Sequence, residues 1–134
     1  MRASSLLLLL SLTGVAGCGT SDDRDQARTV VERFYDAVRD DRGEDACAEL
    51  SEAAVKQLES QTSQRCPAVV TRLEYLGGPV VDAHVYVSNA KVDLGGGESA
   101  FLNRGPDGWR LSAIACKPEE GPPRDFPMEC EVEA

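Results

Sequence analysis

The hydrophobic period of this chain changes once, at Pro79. Before it, apolar residues recur at three- and four-residue steps; after it, they recur at every second residue. A chain with its helices first and its strands second is expected to form an α+β domain, with the helices covering one face of an antiparallel sheet.

Ala27, Val30, Val31, Phe34 and Val38 form one apolar stripe, which predicts a helix from about Asp22 to Arg39. Ser21 is placed to cap it, and Asp22 and Asp23 sit where the helix dipole favours negative charge. Gly43 is the expected stop. Glu44 to Ser60 is helical again, with Ala46, Cys47, Leu50, Ala54 and Leu58 as its buried stripe. Ser51 can cap a break after Leu50, so one bent helix and two short ones both fit. Pro67 suits a first helical position, and Val69, Val70, Leu73 and Leu76 predict a shorter helix ended by Gly77-Gly78-Pro79.

Beyond Pro79, Val81, Ala83, Val85 and Val87 alternate with Asp82, His84, Tyr86 and Ser88, the pattern of a half-buried strand with its valines inward. Ser88-Asn89 turns into Ala90–Leu94, Gly95-Gly96-Gly97 into Glu98–Arg104, and Gly105-Pro106-Asp107-Gly108 into Trp109–Cys116. Four strands joined by short turns pair as an antiparallel meander. Trp109, Leu111, Ala113 and Ala115 are its expected last inward row. The tail, residues 117–134, carries Pro118, Pro122, Pro123 and Pro127 and reads as irregular chain, with a short strand expected near Cys130.

The stretch Leu6–Cys18, LLLLLSLTGVAGC, follows a single basic residue, Arg2, and ends in small residues. That is the layout of a secretory signal, and its apolar run is far below the roughly 20 residues that a membrane span needs. Val15-Ala16-Gly17-Cys18 resembles the lipobox of bacterial lipoproteins position by position. The resemblance implies cleavage after residue 17, a diacylglycerol thioether on Cys18, and a domain held outside the cytoplasm at the cell membrane. Residues 18–25 then form a lipidated tether, polar from Gly19 to Asp23. The alternative is an ordinary secretory cut, with Cys18 as one more disulfide cysteine.

Cys47, Cys66, Cys116 and Cys130 remain, an even number in an exported chain, which favours two disulfides over metal or redox chemistry. Of the three connectivities, Cys47–Cys66 ties neighbouring helices, and Cys116–Cys130 clamps the tail to the last strand. Each closes a loop of about 15–20 residues, contributing about 3 kcal/mol in the chain-entropy model. Aromatic residues make up only 5% of the chain, so the core must be built from Val, Leu and Ala, and such staples matter. No Cys-x-x-Cys is present and His84 is the only histidine, so neither a metal nor a cofactor is expected.

A net charge of −9 argues against nucleic acid as a partner and against adhesion to anionic lipid through a basic face. The bilayer is expected to be engaged through the acyl chains on Cys18.

The order of elements, with ARTVVERFYDAV, DACAELSEAAVKQL, HVYVSNAKVDL and DGWRLSAIAC, resembles a nuclear transport factor 2-like domain over residues 26–116. More narrowly, it is similar to envelope lipoproteins that carry this cystatin-like cone with paired cysteines. The resemblance implies a curved sheet wrapped round the long first helix, often enclosing a pocket. Isomerases, dehydratases, polyketide-cyclase-like enzymes and binding modules all share that fold, so fold alone does not select a function.

Three groups invite a chemical reading. Asp82, His84 and Tyr86 share a strand face, but it is the face opposite the valines, so they are expected in solvent or against a partner, a second copy of the chain included. Tyr35 and Asp36 flank the helix stripe and can reach the mouth of a cone, with the Tyr35 hydroxyl expected in water. Gly95-Gly96-Gly97 lacks the spacing of a phosphate loop and leads into a strand. No catalytic residue is therefore expected. The leading expectation is a non-enzymatic module that binds a small apolar ligand or an envelope protein. The alternatives are a small isomerase-, cyclase- or dehydratase-type enzyme and a structural accessory to a membrane protein.

Overall fold

A computed structural model describes residues 20–118 and 128–134. The expectations for the signal segment, Cys18 and the prolines at 122, 123 and 127 lie outside these residues.

Helix α1 spans Thr20–Arg39, so its first turn takes up residues expected in the tether, and Ser21 lies inside the helix. The Gln26 side-chain amide donates to Asp22 at 2.8 Å, one helical turn back, which supports that extension. The stripe buries Ala27, Val30, Val31, Phe34, Tyr35 and Ala37. Burial of each larger side chain stabilises the fold by about 1.5–3 kcal/mol.

Gly43 is not the stop of α1 but the first residue of α2, Gly43–Glu49. The chain turns at Asp41, which takes the left-handed conformation at φ +55°. A Cβ at Gly43 would fall on the Pro67 carbonyl, so this glycine is required by a close backbone approach. The break after Leu50 is real. Ser51 Oγ accepts the Ala54 N–H at 3.1 Å and caps α3, Glu52–Thr62.

The fourth helix is shorter than its sequence spacing predicts: α4 covers Cys66–Val69, followed by a 3-10 turn over Val70–Arg72. Leu76 is not part of a helix stripe and stands 56% exposed. Instead, the segment after Leu73 runs irregularly to the sheet.

Among the described residues, six strands form one antiparallel sheet: β1 Val80–Tyr86, β2 Asn89–Leu94, β3 Ser99–Gly105, β4 Gly108–Pro118, β5 Met128–Glu129 and β6 Val132–Glu133. The order is β1-β2-β3-β4-β5, with β6 also paired to β4. The expected four-stranded meander is thus extended by two short strands flanking Cys130, and Lys117 and Pro118 belong to β4 rather than to the tail.

Two inward rows depart from strict alternation. The register of β1 and β2 shifts between Val80 and Asp82, which places Val80 against the core and leaves Val81 61% exposed. Val87, expected inside, lies in the β1–β2 turn at φ +49° and is 94% exposed. In β4, Trp109 and Leu111 are inward as expected. The register then shifts on both sides of Phe101; Ala113 and Ala115 are buried as expected, but so are Ser112 and Ile114, and it is Ile114 that joins the main core cluster. On its other side β4 is covered in sequence. Ser51 N–H donates to the Leu111 carbonyl at 2.8 Å, β6 pairs at Ala113 and Ile114, and β5 pairs at Lys117 and Pro118.

Cys47 is bonded to Cys66 and Cys116 to Cys130, closing sequence separations of 19 and 14 residues. The first bond joins α2 to the start of α4. The second fixes the two tail strands beside β4.

Candidate functional site

The last half of α1 and the segment Tyr75–Val80 leave a cleft of about 710 Å³, which Leu94 at the end of β2 also lines. Each wall follows from local chemistry. Val31, Tyr35 and Val38 come from the helical stripe, one turn apart. Leu76, Pro79 and Val80 come from a stretch that glycine and proline keep out of helix. Glu32, Asp36 and Arg39 are the charged side chains at this opening, and Arg39 Nη2 donates to Asp36 Oδ1 at 2.8 Å.

Beside the cleft lies a carboxylate with no counterpart in the sequence expectations. Glu98 is only 1% exposed. Its Oε1 accepts the Tyr35 hydroxyl at 2.6 Å and the Gly77 N–H at 3.1 Å, and its Oε2 accepts the Leu76 N–H at 2.8 Å. Burying a carboxylate is costly unless donors replace water, and here three of them do so. Glu98 therefore pins the Leu76-Gly77 backbone to the sheet and sets one wall of the cleft.

The neighbouring loop contact explains the glycines. Gly96 N–H donates to the Gly77 carbonyl at 2.9 Å and Gly95 N–H to the Pro79 carbonyl at 2.8 Å. A Cβ on Gly96 would stand 2.5 Å from the Gly77 oxygen. Gly95-Gly96-Gly97 is thus a turn whose backbone packs on the cleft wall.

Three aromatic residues form a connected cluster beside the cleft. Phe34, Tyr35 and Tyr75 meet edge to face, with ring centroids 5.2–5.9 Å apart. The Tyr35 hydroxyl, expected in water, is buried instead, because the Glu98 carboxylate supplies the acceptor that water would have provided. Burial first, then the hydrogen bond and negative charge of Glu98, hold the Tyr35 phenol well above its ordinary range. Burial and the charges of Glu98 and Glu131 do the same for Tyr75, whose hydroxyl donates to the Val70 carbonyl at 2.6 Å. Both phenols stay protonated at neutral pH, and both spend their proton on a structural bond. Neither is placed to act as a base.

His84 and Asp82 lie on the solvent face of β1, with Nε2 and Oδ2 3.1 Å apart and side chains 48% and 60% exposed. The His84 ring stacks on Tyr86 at 6.5 Å. Asp82 Oδ1 also accepts the Ala83 N–H at 2.7 Å, which occupies a donor on the free edge of the sheet. The structure thus brings His84 and Asp82 together, but not with Tyr35, Asp36 or the cleft.

Parity is the signal by which Glu98 could have been found. Ala100 and Leu102 point inward on β3, and Glu98 shares their phase. Among the described residues, no group of three or more His, Cys, Asp or Glu converges as a metal site would require, and no helix is long and apolar enough to cross a membrane. No protein-family model, no curated protein and no solved structure matches the chain.

Proposed function

We propose that this chain is a bacterial envelope lipoprotein, anchored outside the cytoplasm through acylated Cys18, whose domain binds a small apolar ligand without transforming it. In this reading the domain is a nuclear transport factor 2-like cone. Helices followed by an antiparallel meander, with the long first helix packed on the sheet, support that assignment. The short apolar run ending in Val15-Ala16-Gly17-Cys18 supports the anchor.

One observation carries the binding role: a cleft of about 710 Å³ whose walls are mainly aliphatic and aromatic, while the buried carboxylate beside it is engaged by three donors of the protein itself. That size lies within the usual range of small-molecule sites, roughly 300–1,000 Å³. Acid–base chemistry would need an ionisable group free to exchange a proton with a bound molecule. The buried groups Glu98, Tyr35 and Tyr75 instead hold one another and the local backbone, and the two carboxylates that line the cleft, Glu32 and Asp36, are exposed at its opening, with Asp36 paired to Arg39.

The test uses Nile red, a neutral apolar dye, with the purified protein. Saturable binding accompanied by a blue shift is expected, and Val38→Trp, which fills the cleft from α1, should abolish it. Binding unchanged in that variant would move the ligand site elsewhere. Absence of any saturable binding would favour a protein partner over an apolar ligand.

A further inference from the structure

We propose that one end of the sheet, formed by the β1–β2 turn and the β3–β4 turn, rests on the bilayer surface, and that the cleft opens at the opposite, distal end. The proposal rests on the lipid anchor at Cys18. Helix α1 begins at Thr20, two residue steps from Cys18, and those steps can span no more than about 7 Å. An anchored Cys18 therefore holds the first turn of α1 at the headgroup layer and leaves no long stalk.

The structure fixes what stands beside that first turn. Asp23 pairs with the Arg104 guanidinium, which also lies 4.8 Å over the Trp109 ring. Trp109 is buried and belongs to the core, so this contact ties the helix start to the β3–β4 hairpin. Arg104 N–H donates to the Ser88 carbonyl at 2.8 Å, which places the β1–β2 turn at the same end.

The exposed residues at this end suit a lipid interface. Val87 is 94% exposed and Tyr86 61%, side by side at the turn. A β-branched residue at φ +49° is disfavoured where Asn or Gly would sit easily, so Val87 is an expensive choice for a turn that meets only water. At a bilayer surface its side chain leaves water, and a tyrosine beside it fits the headgroup layer. Asp22, Asp23 and Asp107 accompany Arg24 and Arg104 here, so the contact depends on the acyl chains and the apolar turn rather than on a basic patch.

Val38 and Arg39, at the far end of α1, line the cleft. At 1.5 Å per residue they lie about 25–30 Å along the helix from its start. The cleft then exchanges its ligand with the aqueous envelope compartment rather than with the membrane.

The lipidated full-length protein, reconstituted in phosphatidylcholine vesicles containing headgroup-proximal doxyl lipid, tests this. Dansylalanine is placed singly at Val87, at Asp107 in the other turn, or at Leu76 by the cleft; all three positions are exposed. Flotation with the vesicles, and quenching several-fold stronger at Val87 and Asp107 than at Leu76, are expected. Flotation with equal quenching, or with stronger quenching at Leu76, overturns the orientation while the anchor stands. Failure to float overturns the anchor and the orientation with it. Asp107 gives an independent reading should the change at Val87 disturb its turn.

Discussion

Glu98→Gln keeps the shape of the buried side chain and removes one acceptor together with the charge. Oε1 serves two donors and Oε2 one, so the least costly amide orientation keeps oxygen at the Tyr35–Gly77 position. The amide NH₂ then faces the Leu76 N–H, and a buried donor left unsatisfied costs about 1–3 kcal/mol. The two remaining bonds lose charge assistance, which roughly halves their strength and costs about 1 kcal/mol more. The expected loss is therefore about 2–4 kcal/mol, and a domain with a stability of about 5–15 kcal/mol stays folded. Urea unfolding should show a lower midpoint at unchanged slope. Amide hydrogen exchange should accelerate at Leu76 and Gly77 but not along the β2–β3 ladder. Tyr35→Phe should cost less, and the double variant less than the sum, because the two groups share one bond. A loss below about 0.5 kcal/mol with unchanged exchange at Leu76 would refute the role given to Glu98.

Gly43→Ala should destabilise the domain by about 1–3 kcal/mol, because the new Cβ meets the Pro67 backbone. An ordinary helical glycine would instead gain up to about 1 kcal/mol, so the sign measured by thermal unfolding is the test. The raised folded-state values of Tyr35 and Tyr75 set a second sign. Their contribution is fully present below the unfolded phenol value of about 10 and is lost as pH rises above it. Alkaline titration should therefore show their phenolate absorbance appearing together with loss of circular dichroism, and ionisation of either without unfolding would contradict their burial. His84→Ala should change stability by less than about 0.5 kcal/mol and leave Nile red binding intact, since the residue lies half-exposed on the solvent face.

What the sequence makes legible here is what local periodicity and turn chemistry control. The α1 stripe, the Ser51 cap, the strand order and the outward face of His84 all follow from spacing within a few residues. The departures come from contacts between distant segments. Gly43 answers to Pro67, Gly96 to Gly77, and the phase of β4 beyond Leu111 to a bulge opposite Phe101. Leu76 reads as the end of a helix stripe until Glu98, 22 residues later, captures its N–H. Glu98 itself was legible only through strand parity, and a carboxylate on an inward phase has no meaning until its donors are known. The cleft inherits this split. Its α1 wall is visible in the helix stripe, whereas its opposite wall exists because a buried acid holds an irregular loop.

Intact-mass analysis of the protein extracted from the membrane fraction of its native host reaches the anchor on which both the function and the orientation depend. The mature chain should begin at Cys18 and carry the added mass of a diacylglycerol thioether, with or without further acylation of its amine. A mature protein that begins elsewhere, or that is recovered unacylated from the medium, would contradict the reading of this chain as a membrane-anchored binding module.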